Sequence, residues 1–102
     1  MNIIIPNAAD PAHLAEVMNE MQSLGAPVVR AFWSEAWEAF VAVEGSHRVV
    51  AAHRLGLVPE IEEIDMIEDA PVSEFGPDID CDMTCGEWVE RAHRRPLIAF
   101  AD

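Results

Sequence analysis

The stretch from Phe40 to Leu57 constrains this chain more than any other. Phe40-Val41-Ala42-Val43 is a short, wholly apolar run of the kind a strand buried on both faces shows. Gly45 breaks the run, and from Ser46 the residues favour helix as far as Gly56. The spacing therefore predicts a strand, a tight turn and a helix. A Gly-Ser pair at such a turn lets the backbone pass close to a ligand, and the N–H groups of a helix's first turn attract an anion. Arg48 adds a planar fork of donors at the same place. His47 and Arg54 are seven residues apart and share one side of the predicted helix, while Val49, Ala52 and Leu55 take up much of the rest.

The run Val43-Glu44-Gly45-Ser46-His47-Arg48-Val49-Val50-Ala51-Ala52, followed by Leu55-Gly56-Leu57, resembles the core motif of the ParB/sulfiredoxin superfamily. Members of that superfamily read acidic-Gly-x-x-Arg, then an Ala-rich helix and a Leu-Gly-Leu ending. The upstream Gly25-Ala26-Pro27-Val28-Val29 stands where the superfamily has a Pro-Ile-Val strand. Strand, turn, arginine and helix end fall in register, and the resemblance covers about residues 2–66. It implies one small α+β (α/β) domain over residues 1–102, with a mixed sheet, about three helices and a strand-turn-helix at 40–56 that binds nucleotide phosphates.

The departures narrow the activity. Sulfiredoxins place a catalytic cysteine between the glycine and the histidine, where this chain has Ser46, and an unactivated hydroxyl does not replace a thiolate. Sulfinic-acid reduction is not expected. The chromosome-partition branch reads Gly-Glu-Arg-Arg-x-Arg, of which only Gly45 and Arg48 are kept, with His47 for the first arginine and Val50 for the last. Some free-standing relatives are phosphotransferases or nucleotidases with His-Arg in this turn, which Gly45-Ser46-His47-Arg48 matches better.

The resemblance and the chemistry of the side chains assign the roles. Backbone N–H groups of Ser46 and His47 hold phosphate oxygens beside Gly45, Arg48 chelates them, and Arg54 extends the cationic strip. His47 donates or shuttles a proton and Glu44 orients a metal or a nucleophile, which makes these two the catalytic candidates. The implied cofactor is a nucleoside di- or triphosphate (ATP, CTP or ADP), with Mg²⁺ as an optional companion; no protein side chains are assigned as a metal site. In the competing reading, a glycine turn leads into a helix with no phosphate bound, Arg48 pairs with a carboxylate and His47 lies exposed.

Charge limits the partners. All six basic residues are arginine against 19 acidic ones, a formal net charge of −13, and such a field repels nucleic acids and anionic membranes. Direct binding of duplex DNA is therefore not expected, and neither is a membrane partner. At 102 residues and 51% apolar content, the chain can bury a core of its own. Two cysteines make no disulfide framework, the first residues lack a basic segment before an apolar one, and no apolar run approaches the ~20 residues of a membrane span. A cytoplasmic location is the expectation.

Along the chain, Asn2-Ile3-Ile4-Ile5 before Pro6 reads as a first strand. Asp10 and Pro11 open a helix whose stripe is Leu14, Val17, Met18, Met21 and Leu24, closed by Gly25. Val28–Trp33 and Glu38–Val43 read as a hairpin joined by Ser34-Glu35-Ala36-Trp37, with Trp33 and Trp37 covering the core's edge or stacking on a base. Arg30 shares a strand face with Val28 and Phe32, as a partner of a carboxylate or as a second phosphate contact. Pro59–Ile67 reads as a strand of irregular alternation, in which Ile61 and Ile64 face opposite sides unless a bulge intervenes.

From Glu60 to Asp82 there are ten carboxylates and no basic residue. This acidic segment 60–82 is a solvated stretch, a source of Mg²⁺ ligands or a docking surface for a basic protein. Asp78-Ile79-Asp80-Cys81-Asp82 lacks the central glycine and terminal glutamate of a calcium loop. Cys81, Cys85 and His93 lack a fourth zinc ligand. Thr84 and Glu87 form a capping box for a helix to about Arg95, stopped by Pro96, and Leu97–Ala101 closes the chain as a strand. Three functions follow: a nucleotide-binding enzyme (nucleotidase or phosphotransferase), a non-catalytic nucleotide-dependent adaptor, and an acidic interaction protein that mimics nucleic acid.

Overall fold

Two β-branched or apolar runs, Asn2–Ile4 (β1) and Ala39–Ala42 (β3), lie side by side in parallel, with Ile3 opposite Phe40 and Ile4 opposite Val41. The computed structural model describes residues 1–5, 7–75 and 83–100, apart from the side chain of His93. Around the central pair, Val28–Ser34 (β2) runs antiparallel to β3, Glu60–Glu63 (β4) parallel to β2, and Leu97–Ala99 (β5) antiparallel to β1, giving a five-stranded mixed sheet in the order β4-β2-β3-β1-β5. Three α-helices accompany it: Pro11–Leu24 (α1), Ser46–Arg54 (α2) and Cys85–Arg91 (α3). This is the α+β class that the sequence predicts.

The period-two alternation of the strands sorts their side chains onto two faces. Ile3, Val29 and Ala42 meet Leu14 and Met21 of α1 and Val49, Ala51 and Ala52 of α2. On the opposite face Ile4, Phe32, Val41 and Val43 meet Val72, Cys85, Trp88 and Ala92. In both halves of the core side chains are fully covered: Ile3, Phe32, Val49, Val72 and Cys85 have no exposed surface. The Trp88 indole N–H donates to the Ala42 carbonyl at 3.2 Å and so fixes α3 to the last residue of β3.

Local signals set the element ends. Asp10 caps α1 by accepting from the His13 N–H, Pro11 takes the first helical position, and Gly25 ends the helix at φ 80°. Thr84 and Glu87 make the reciprocal capping box at α3. Several expectations are corrected. Leu24 is 82% exposed instead of closing the apolar stripe, so the covered part of α1 ends at Met21. The strand predicted over Pro59–Ile67 is confined to Glu60–Glu63, which pairs with Val28–Ala31 of β2, with one further bond from the Ile64 N–H to the Ala31 carbonyl.

The last helix ends at Arg91 and tightens into a 3-10 turn over Ala92–Arg94 before Pro96, so it stops short of Arg95. β5 stops at Ala99. Residues 78–82, including Cys81 and the Asp-rich run, and the His93 side chain lie outside the described residues, as does residue 101. Trp33 and Trp37 are both partly exposed, and the Trp33 ring meets Phe40 edge-on at 5.0 Å. Arg30 pairs with Glu62 at 3.6 Å and donates to the Phe75 carbonyl at 3.2 Å, which is the carboxylate-paired arrangement.

Burial pushes the Cys85 thiol up from its ordinary value of 9.0. A raised thiol favours the neutral form in the folded state, so the stability it lends is present below the unfolded thiol's value and is lost as pH rises through the folded one. In a Cys81→Ser protein at pH about 8, Cys85 is expected to resist a thiol-reactive dye until denaturant unfolds the chain; rapid native-state labelling would contradict its burial.

Candidate functional site

The parallel pair β1 and β3 finish at one end of the sheet, and the loops that follow them meet there. After β3 the chain reaches Gly45 in the left-handed region at φ 81°, ψ 30°, and α2 begins at once with Ser46. Only glycine adopts that conformation without a steric penalty, so the strand-turn-helix predicted from Phe40 to Gly56 forms where the glycine stands. After β1, the Asn7 N–H donates to the Ser46 Oγ at 3.3 Å, and the Asp10 N–H donates to the His47 Nε2 at 2.9 Å. The two loops are thus tied by side chains of the motif itself.

Ser46 is buried and accepts from the neighbouring loop, a structural use of its hydroxyl. His47 accepts through Nε2, so that nitrogen carries no proton and the neutral ring holds its proton on Nδ1. Its ring meets that of His13 edge-on, with centroids 4.4 Å apart. Asp10 therefore joins two elements: its carboxylate caps α1 and its N–H rests on α2's first turn.

Arg48 turns back along the outside of the glycine. A Cβ at Gly45 would stand 3.3 Å from its Nε and 3.6 Å from its Cζ, and its Nη1 donates to the Val28 carbonyl at 3.2 Å. That bond carries the guanidinium to the start of β2, where it lines a cavity of about 220 Å³ between the end of α1 and the Gly25-Ala26-Pro27-Val28 connection. The other lining residues are Val17, Glu20, Met21, Leu24, Pro27 and Val28. A water's share of liquid volume is about 30 Å³, so the cavity has room for the flat part of an organic ligand.

No family model, curated protein or solved structure matches this chain. The residues themselves must carry the functional reading. Gly45, Ser46, His47 and Arg48 come together in one turn, with Glu44, partly buried, directly before it. Arg54 does not join them: it is exposed in the last turn of α2, about 10 Å along the axis from His47 at 1.5 Å per residue. Among the described residues no group of three or more His, Cys, Asp or Glu side chains is placed to hold a metal ion.

Neither the cavity nor the Asp10–His47 contact has a local signal in the sequence. Val17, Met21 and Leu24 read there as a core stripe, and nothing in their spacing tells a core wall from a cavity wall. The Gly45→Ala variant is expected to lose about 1–2 kcal/mol from the left-handed backbone alone and to displace the Arg48 guanidinium. Gly45→Asn, which tolerates that conformation better, should lose less; equal denaturation midpoints for Ala and wild type would overturn the strain argument.

Proposed function

We propose that this chain binds a nucleoside di- or triphosphate, with the phosphates at the Gly45–Arg48 turn and the base in the cavity between α1 and β2. The observation that carries the reading is the position of Arg48, whose guanidinium covers the glycine turn on one side and forms a wall of the 220 Å³ cavity on the other. A ligand with an apolar ring and an anionic tail satisfies both surfaces: the ring lies against Val17, Met21 and Pro27, and the tail takes the arginine fork and the first N–H groups of α2. The likeness of the turn to the ParB/sulfiredoxin motif supports the same ligand class.

The geometry favours binding over turnover. His47, the candidate acid, already spends Nε2 on the Asp10 N–H, so proton transfer to a ligand falls to Nδ1 alone. A nucleotidase or phosphotransferase using His47 and Glu44 is therefore the second reading, after an adaptor whose loops respond to nucleotide. Titration calorimetry with ATP, CTP and ADP, with and without Mg²⁺, tests the first, and release of phosphate tests the second. Absence of binding by all three nucleotides would overturn the proposal and leave an acidic protein-interaction role for segment 60–82.

The described residues contain no helix long and apolar enough to cross a membrane. We further propose that the chain does not hold duplex DNA, because its net charge is −13. A heparin-sensitive shifted band at about 0.15 M salt, near the ionic strength at which exposed charges are screened beyond ~8 Å, would contradict this.

A further inference from the structure

β4 is the outermost strand on its side of the sheet, so one of its edges has no neighbouring strand among the described residues. The Glu60 N–H donates to the Pro27 carbonyl and the Ile64 N–H to the Ala31 carbonyl, both at 2.9 Å. In a parallel ladder alternate residues turn their backbone groups to the partner strand, so Glu60, Glu62 and Ile64 face β2. The N–H and carbonyl groups of Ile61 and Glu63 then face outward, at the spacing that a further extended strand requires.

The side chains decide what such a strand must be. Ile61 packs on the core face covered by α1 and α2, which puts Glu63 on that side of the sheet and Glu60 and Glu62 on the other. Glu62 pairs with Arg30, whereas Glu60, Glu63 and the following Asp65 have no cationic partner among the described residues. Both sides of the edge are therefore acidic. A second copy of this chain would set glutamates opposite glutamates, which destabilises a strand pair, and the net charge of −13 repels it at longer range. Charges of this kind guard an edge against like strands and leave it open to a strand of opposite sign. Exposed Val58 before the strand and exposed Met66 and Ile67 after it add apolar surface in the same stretch of chain.

We infer that the outer edge of β4 takes up a basic peptide in extended conformation as an additional antiparallel strand, at a place separate from the Gly45–Arg48 turn. Antiparallel pairing is the more stable direction per residue. In that direction the peptide residues opposite Glu63, Glu62, Ile61 and Glu60 follow one another, so the matching order is basic, basic, apolar, basic. The first and third of these exchange hydrogen bonds with the outward groups of Glu63 and Ile61.

The probe is the acetylated and amidated peptide Thr-Lys-Lys-Val-Lys-Thr. In ¹⁵N NMR of the whole chain it is expected to shift the Ile61 and Glu63 amide signals saturably and to protect them from hydrogen exchange, while the amides of β5 on the opposite edge stay in place. The same peptide N-methylated at its first lysine and its valine keeps every charge and loses the two N–H groups that face β4, so its affinity is expected to fall at least tenfold. Glu63→Pro removes the outward N–H without touching a bond to β2 and should lose as much, whereas Glu63→Gln, which keeps that N–H, should lose only a few-fold. The melting temperature of Glu63→Pro checks that the sheet is kept, and the N-methylated peptide makes the same test on the unaltered chain. Three results would overturn the inference: no saturable shift of the Ile61 and Glu63 amides, equal affinity for the N-methylated peptide, or a folded Glu63→Pro that binds like wild type. Equal affinity for the N-methylated peptide would reduce the contact to charge attraction alone.

Discussion

Replacing Arg48 by alanine is expected to weaken nucleotide binding by at least tenfold while the chain stays folded. Arg48 is exposed in the free chain, and in the proposed complex its guanidinium spans the Gly45 turn and the cavity, so the loss is that of charge-assisted hydrogen bonds, about 1.5–3 kcal/mol, with tenfold in affinity for every 1.4 kcal/mol. Its structural role is smaller. Among the described residues Arg48 makes one hydrogen bond, to the Val28 carbonyl, which is a contribution of about 0.5–1.5 kcal/mol against the 5–15 kcal/mol typical of a whole domain. Arg48→Lys should fall between the two, because an ammonium keeps the charge and loses the planar fork that spans turn and cavity.

Calorimetry of the three proteins with the nucleotide that binds wild type best decides the matter, with circular dichroism as the check on folding. Unchanged affinity in Arg48→Ala would remove the phosphate site from the Gly45 turn. His47→Ala provides a contrast, since its Nε2 serves the Asp10 N–H. That variant should lose order where α1 begins and lose affinity only secondarily. An effect of His47→Ala on affinity as large as that of Arg48→Ala would move the ligand contact to the imidazole.

The largest effect on stability is expected from Phe32→Ala. Phe32 has no exposed surface, lies on the sheet face covered by α3, and meets Phe75 edge-on with ring centroids 5.7 Å apart. Truncating such a ring leaves a cavity that the strand on either side cannot close, at a cost of about 3–5 kcal/mol. For a domain of this size each kcal/mol shifts the midpoint by roughly 4–8 °C, so the melting temperature should fall by more than ~10 °C, to the point of unfolding if the wild type is marginal. Phe32→Leu refills much of the space and should lose markedly less. A thermal scan in which Phe32→Ala melts within a few degrees of wild type would contradict the two-faced core.

Elements whose ends are set by local chemistry were legible in the chain. Asp10-Pro11 and Gly25 bound α1, Thr84 and Glu87 open α3, and Gly45 divides β3 from α2, because each relieves an orphaned backbone group or a steric clash within a few residues of itself. The α+β class was expected from the resemblance of residues 2–66 to the ParB/sulfiredoxin motif. The turn that gathers Gly45, Ser46, His47 and Arg48 was legible for the same reason, being contiguous.

Tertiary structure decided what no local signal encodes. Strand order β4-β2-β3-β1-β5 depends on which runs share a face after collapse, and the length of β4 depends on how much of β2 lies beside it. Leu24 has the spacing of a core residue and stands exposed, since spacing fixes a helix face but not how far along the helix that face is covered. The same limit hid the cavity beside Arg48 and the seat of the Asp10 N–H on His47. Each is a relation between groups 20 or more residues apart, brought together by burial of the two core faces, and hydrophobic burial specifies which surfaces meet without naming the polar atoms that meet with them.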